Sequence, residues 1–154
     1  MAPYQEDLIC QKAQRYCSYQ ERTRKEVGDK LRTWGVPQRE TVERILQMLT
    51  KERFLDEQRY VEAFIRGKFE GRRWGKRKLR VALTQKGLAP SLIQRGLDAI
   101  TPTDYLTSLR YVANRKQQAL LDLPPVQQKR KLTYYLLQKG YEPDLIGEIV
   151  REIG

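Results

Sequence analysis

The sequence predicts an all-α protein of three tandem three-helix modules, about nine helices, arranged as an elongated, curved array. Three observations carry that prediction. A helical phrase ending in glycine and proline occurs three times at near-equal spacing, each occurrence is followed by a second helical pattern, and no stretch alternates with the two-residue period of a strand. The phrases are VGDKLRTWGVP from Val27, LRVALTQKGLAP from Leu79 and LTYYLLQKGYEP from Leu132, and their glycines, Gly35, Gly87 and Gly140, stand 52 and 53 residues apart. The chain then divides into modules at 1–54, 55–100 and 101–154.

Each part of the phrase has a physical cause. Apolar residues at i and i+4 form a buried helical stripe, glycine ends the helix because it takes the left-handed conformation without penalty, and proline opens the next helix near its first position. In module one, a first helix spans roughly Pro3 to Cys17. Thr23 with Glu26 three residues on has the form of a capping box for the middle helix, and Val42, Ile45, Leu46 and Leu49 mark the third. In module two, Asp56 caps a helix reaching about Glu70, with Tyr60, Ala63, Phe64 and Gly67 along one face. Gly75 opens the middle helix, and Leu92, Ile93, Leu97 and Ile100 mark the third. In module three, Thr101, Pro102 and Asp104 read as N-cap, first position and first-turn acid, with Pro124-Pro125 as that helix's stop. The third helix carries Leu145, Ile146, Ile149, Val150 and Ile153.

A chain of 154 residues, 40% apolar, is one domain's length and buries roughly 68–70% of its unfolded surface, so it needs no disulfide or metal staple. Thirty Lys and Arg against nineteen Asp and Glu leave a net charge of +11, which implies an anionic partner. The absence of histidine excludes Ser-His-Asp and Cys-His nucleophilic sites and histidine-bearing zinc sites. Cys10 and Cys17 lie seven apart on one helical face, too far apart for a bridge within that helix, and read as buried reduced thiols. No run approaches the ~18 apolar residues of a membrane span, and the opening MAPYQEDLICQK lacks the basic and apolar regions of a signal peptide. A cytoplasmic monomer with no cofactor and no membrane attachment is expected.

The positive charge clusters where the middle helices are expected to begin: Arg24-Lys25, Lys76-Arg77-Lys78 and Lys129-Arg130-Lys131. Cations in the first turn oppose the helix dipole by roughly 0.3–1 kcal/mol each, so fold stability does not account for them. The densest stretch, GRRWGKRKLR over 71–80, adds Arg72, Arg73 and Arg80 and contains no acid. With Leu79 and Leu83 turned inward, helical spacing turns Arg77 and Thr84 outward, and the same arithmetic exposes Lys25 with Arg32 and Arg130 with Leu137. Lys25, Arg77 and Arg130 thus form one position repeated, a ladder of cations suited to a long anionic surface. Trp34 and Trp74 lie beside these cations, placed either to stack on bases or to fill the core.

One set of residues is familiar. Leu55-Asp56-x-x-Arg59-Tyr60-Val61-x-x-Phe64, then Gly75-x-x-Lys78-Leu79-x-x-Ala82-Leu83-x-x-Lys86-Gly87-Leu88, resembles the RecX family of bacterial recombination regulators, and Thr23–Leu31 is similar to that family's first module. The likeness covers residues 10–100 and reaches the last third through the module pattern, where Lys129, Arg130, Leu132, Leu136 and Gly140 are kept. Ala82 departs from it, standing where many relatives carry Glu. The resemblance implies three tandem three-helix repeats and a modulator of the RecA recombinase. Such a modulator binds the RecA–single-stranded DNA filament and limits strand exchange, ATP hydrolysis and SOS-inducing activity. On that reading the basic face touches RecA subunits and their DNA, single- or double-stranded.

The alternative is a nonspecific nucleic-acid-binding protein of helix-turn-helix-like modules. Cations outnumber Asn and Gln on the middle helices, and Glu148 and Glu152 stand at the end of the last helix, which argues against base-specific readout. A small enzyme finds less support. Gly71-x-x-x-Gly75-Lys76 is one residue short of a phosphate-binding loop and has Arg77 where that loop needs Ser or Thr, and Asp56-Glu57 reads as a cap with its first turn.

Overall fold

A computed structural model describes residues 3–153. Among them are nine α-helices in three groups of three: α1 Pro3–Tyr19, α2 Arg24–Thr33 and α3 Arg39–Lys51; α4 Glu57–Ile65, α5 Lys76–Gln85 and α6 Pro90–Asp98; α7 Pro102–Ala119, α8 Pro125–Lys139 and α9 Pro143–Ile153. The expected caps are in place. The Thr23 hydroxyl accepts the Glu26 N–H (3.0 Å) while the Glu26 carboxylate accepts the Thr23 N–H (3.1 Å). Asp56 accepts the Arg59 N–H and Thr101 the Asp104 N–H. Gly35, Gly87 and Gly140 have φ of 93°, 82° and 101°, so all three middle helices end in the left-handed residue that the repeat requires.

The modules do not share one core equally. Module one closes around its own cluster, in which Val27, Leu31, Val42, Ile45 and Leu49 are buried with Ala13 of α1. Modules two and three share a second, continuous cluster that runs from Val61 through Leu79, Leu97 and Leu109 to Leu136 and Ile149.

The structure corrects three expectations. First, α8 starts at Pro125, a full turn before Lys129; the Pro124-Pro125 pair is therefore a helix start, with Pro125 in the first position, and α7 has already ended at Ala119. Second, the buried face of α4 is Val61 and Ile65, while Tyr60, Ala63 and Phe64 are half-buried and Gly67 is exposed. The reason is α6: a Cβ on Gly96 would come within 2.5 Å of Val61 and 2.8 Å of Ile65, so the bare backbone there admits that pair. Third, α4 passes at Arg66–Glu70 into a turn of π-helix. That wider turn sets Phe69 against Tyr105 with ring centroids 6.1 Å apart. Its Lys68 and Phe69 carbonyls accept the N–H groups of Trp74 and Arg73, folding the 71–75 loop back towards module three.

Candidate functional site

The basic 71–80 segment is held by a joint between helix ends. The Gly75 N–H donates to the Lys139 carbonyl (2.7 Å) and the Arg77 N–H to the Gly140 carbonyl (3.0 Å). The carboxyl end of α8 thus abuts the amino end of α5, and amides left unpaired by one helix meet carbonyls left unpaired by the other. Two tyrosines lock the contact. The Tyr105 hydroxyl accepts the Lys76 N–H (2.9 Å) and donates to the Glu142 carboxylate. The Tyr141 hydroxyl donates to the Arg73 carbonyl (2.8 Å) and lies 3.0 Å from Ser108 Oγ. Burial pushes both phenols above the usual tyrosine range, so they remain neutral hydrogen-bonding groups.

The amino end of α2 is satisfied in a related way. Its Arg24 N–H donates to Glu57 at the start of α4 (3.2 Å), and the Lys25 side chain runs beside Gly87 at the end of α5. An Arg59–Glu21 ion pair at 2.6 Å closes this second joint. The first-turn cations therefore do not oppose bare dipoles, as the sequence argument assumed. The α8 carbonyls offset the amino end of α5, Glu26 and Glu57 offset that of α2, and Lys129–Lys131 lie beyond the first turn of α8. The P-loop-like Gly71–Lys76 stretch has its Gly75 and Lys76 amides committed to this joint.

The sequence-derived cations separate into two groups. Some are tied down. Arg24 pairs with Glu43 (3.0 Å), Arg32 with Asp29 (3.2 Å), and Arg80 donates to Gln94 (2.7 Å). Lys76 lies over the Tyr105 ring at 4.9 Å and Lys78 over Trp74 at 4.5 Å. Trp74 itself is half-buried and meets Phe64 edge-on at 6.2 Å, and Trp34 meets Tyr16 in the same manner at 5.8 Å, so both indoles are packed. Arg73 is half-buried over the Tyr111 ring, and the rest are exposed: Lys25, Arg72, Arg77, Lys129, Arg130 and Lys131 have no carboxylate within ion-pair distance among the described residues.

The chain matches three family models in succession: the first three-helix domain of RecX over residues 11–49, the second over 56–97 and the third over 103–150. It belongs to the RecX family. The regulatory protein RecX of Clostridium acetobutylicum is 33% identical over 136 residues, which cover 86% of this chain and 62% of that protein; RecX of Clostridium tetani is 30% identical over 78% and 55%. The chain thus spans a little over half the length of these curated relatives. The crystal structure of RecX from Lactobacillus salivarius superposes with a TM-score of 0.88 at 24% identity, covering 96% of this chain and 95% of that one. The match to the third RecX domain extends the family likeness through the last module, where the sequence resemblance rested on the repeat alone.

Arg72, Arg73, Trp74, Arg130 and Lys131, named from the sequence, border a basic and aromatic surface between α7, α8 and the 71–75 loop whose other residues, among them Tyr111, Arg115, Lys116, Tyr135 and Lys139, the sequence reading missed. Two adjoining grooves of about 710 and 590 Å³ share Lys116 and Tyr135 in their walls. In the first, the Arg73 guanidinium lies 4.0 Å from the centroid of the Tyr111 ring, and Arg115 donates to the Tyr111 hydroxyl (2.9 Å). Arg73 holds a left-handed φ of 58°, which turns the loop back at this point. The Lys139 ammonium donates to the Arg72 carbonyl (2.9 Å), and burial with the neighbouring Lys78 and Arg72 charges keeps it below the usual lysine range. For the missed residues the sequence signal was a pair of i, i+4 couples on facing helices, Tyr111 with Arg115 and Tyr135 with Lys139.

The described residues contain no group of three side chains placed to hold a metal ion and no helix long and apolar enough to cross a membrane. Cys17 is buried and Cys10 half-buried in α1, and burial raises both thiols above their ordinary range.

Proposed function

We propose that this chain is a non-enzymatic, cytoplasmic regulator of the RecA recombinase that acts as a monomer on the RecA–single-stranded DNA filament. On this reading it limits ATP hydrolysis, strand exchange and SOS coprotease activity. Membership of the RecX family supports the assignment. The observation that carries it is the set of exposed cations without carboxylate partners, Lys25, Arg72, Arg77, Lys129, Arg130 and Lys131, spread over the three middle helices and the 71–75 loop. Charges left unpaired on a +11 chain favour a polyanion, and a nucleoprotein filament repeats its charge at intervals as the modules do.

The test is RecA's single-stranded-DNA-dependent ATPase, together with LexA cleavage, as this protein is titrated in. Both activities fall at about one regulator per several RecA subunits if the reading holds. Unchanged rates at a molar excess would refute it. A second reading, binding to bare nucleic acid with RecA irrelevant, draws on the basic groove between α7 and α8; in that case DNA binding is tight at physiological salt and insensitive to RecA.

A further inference from the structure

We infer that the side-chain amine of Lys139 is a modification site, acylated by a small acyl phosphate that docks in the groove between α7, α8 and the 71–75 loop. Lys139 is half-buried at the last position of α8 and lines the groove of about 710 Å³, so its amine is reached from that side. The amine is held in place: Nζ donates to the Arg72 carbonyl at 2.9 Å and lies 6.0 Å from the centroid of the Tyr135 ring. No carboxylate pairs with it among the described residues. Burial, and after it the charges of Lys78 on α5 and Arg72 in the loop, hold this ammonium below the usual lysine range. A lysine desolvated beside other cations keeps more of its nitrogen as the free amine, which is the nucleophile.

The same groove supplies the means of holding the acyl donor. Arg72, Arg73, Arg115 and Lys116 line it together with Lys139, and Glu70 is the one acid in its walls. None of these cations forms an ion pair among the described residues. A cleft lined by one sign of charge concentrates small anions of the other, and guanidinium forks match phosphate oxygens two at a time. An electrophile that carries its own phosphate is therefore delivered to the amine, whereas an uncharged one is concentrated no more here than at an exposed lysine. In the step, the Lys139 nitrogen lone pair forms a bond to the acyl carbon, and the bond from that carbon to the phosphate oxygen breaks. The phosphate leaves with that electron pair and takes up the proton that the nitrogen gives up, so the products are an amide and hydrogen phosphate. The amide is neutral, and one of the groove's five cations is lost. Neither RecA nor DNA takes part, so this inference and the filament reading can fail independently.

The experiment is incubation of the full chain with acetyl phosphate at mildly alkaline pH, with the acetylation rate at each lysine followed by mass spectrometry. Lys139 is expected to react about tenfold faster than the exposed Lys51 and Lys129, the lower end of what a cleft of one charge adds to local concentration. Excess inorganic phosphate is expected to erase most of that lead by filling the cleft. The acetyl ester of N-hydroxysuccinimide, which carries no phosphate, is expected to show a much smaller lead. Arg115→Gln with Lys116→Gln removes two docking cations and leaves the Arg72 carbonyl and Lys78 where they are. That pair is expected to bring the acetyl phosphate lead down to the level of the uncharged ester, with circular dichroism confirming an intact fold. Equal rates at Lys139 and the exposed lysines would overturn the site. So would a lead just as large with the uncharged ester, or one untouched by inorganic phosphate or by the double variant.

Discussion

Replacing Gly75 with alanine tests the joint that holds the basic segment in place. An alanine Cβ at this position would stand 2.3 Å from the Gly140 carbonyl carbon, 2.4 Å from its oxygen and 2.4 Å from the Tyr141 nitrogen, all backbone atoms with no rotamer in which to retreat. Ordinary contact needs about 3.5 Å or more, so the two helix ends have to separate by roughly an ångström. That movement stretches the Gly75–Lys139 and Arg77–Gly140 hydrogen bonds, each contributing about 0.5–1.5 kcal/mol, and loosens the Tyr141 hydroxyl from the Arg73 carbonyl. The expected loss is about 2–4 kcal/mol, or about 4–16 °C in Tm for a chain of this length. Gly35→Ala is the comparison: its φ of 93° is unfavourable to alanine, unlike the extended backbone at Gly75, but nothing lies within 4 Å of the added carbon, so about 1–2 kcal/mol is expected. Urea and thermal unfolding followed by circular dichroism compare the two. A Gly75→Ala protein as stable as Gly35→Ala, or more so, would refute the joint.

Other expectations follow from the same geometry. Thr23→Ala removes a fully buried capping hydroxyl and should cost about 1–2 kcal/mol in the same unfolding assay, whereas a surface cap would cost less. Arg77→Glu should weaken inhibition of the RecA ATPase while shifting stability by less than about 0.5 kcal/mol, because its side chain is exposed; equal loss of both would place that side chain in the packing. Tyr111 should ionise below the usual tyrosine range in an ultraviolet pH titration. Arg115 donates to its hydroxyl, and the charges of Arg115 and Arg73 lower it below the usual tyrosine range. Its folded value is below its unfolded one, so the ionised form favours the folded chain as pH rises through that window, and Arg115→Ala should move the ionisation back up. No early-titrating tyrosine would count against the Arg73–Tyr111–Arg115 arrangement.

Local punctuation made most of the fold legible in the sequence. Gly35, Gly87 and Gly140 were readable because a left-handed residue after an i, i+4 stripe has few explanations, and Thr23, Asp56 and Thr101 because a cap acts within three residues of itself. The start of α8 was misplaced because Pro124-Pro125 can end a helix or begin one, and the cations at 129–131 matched the repeat better than the prolines did. The α4 face was misread because Val61 and Ile65 are buried by a glycine on another helix, which no period within α4 reveals.

The site was legible only in part, for the same reason. Helical arithmetic turned Lys25, Arg77 and Arg130 outward, and all three are exposed. Whether a cation is free or paired depends on residues distant in sequence, as with Arg24 and Glu43, or on rings such as Tyr105 beneath Lys76. The α7–α8 groove joins residues from 70 to 139, and its tyrosines sit on two helices whose separate patterns name no common face. The dipole argument failed because it treated each middle helix as isolated, whereas the ends of α5 and α8, far apart in sequence, satisfy each other through the Gly75–Lys139 and Arg77–Gly140 hydrogen bonds.

Cryo-electron microscopy of RecA filaments on single-stranded DNA, with this chain added at saturation, puts the proposed role to its plainest trial. The account predicts added helical density along the filament, with the exposed cations of its middle helices turned towards it. Filaments that remain bare under those conditions would contradict it.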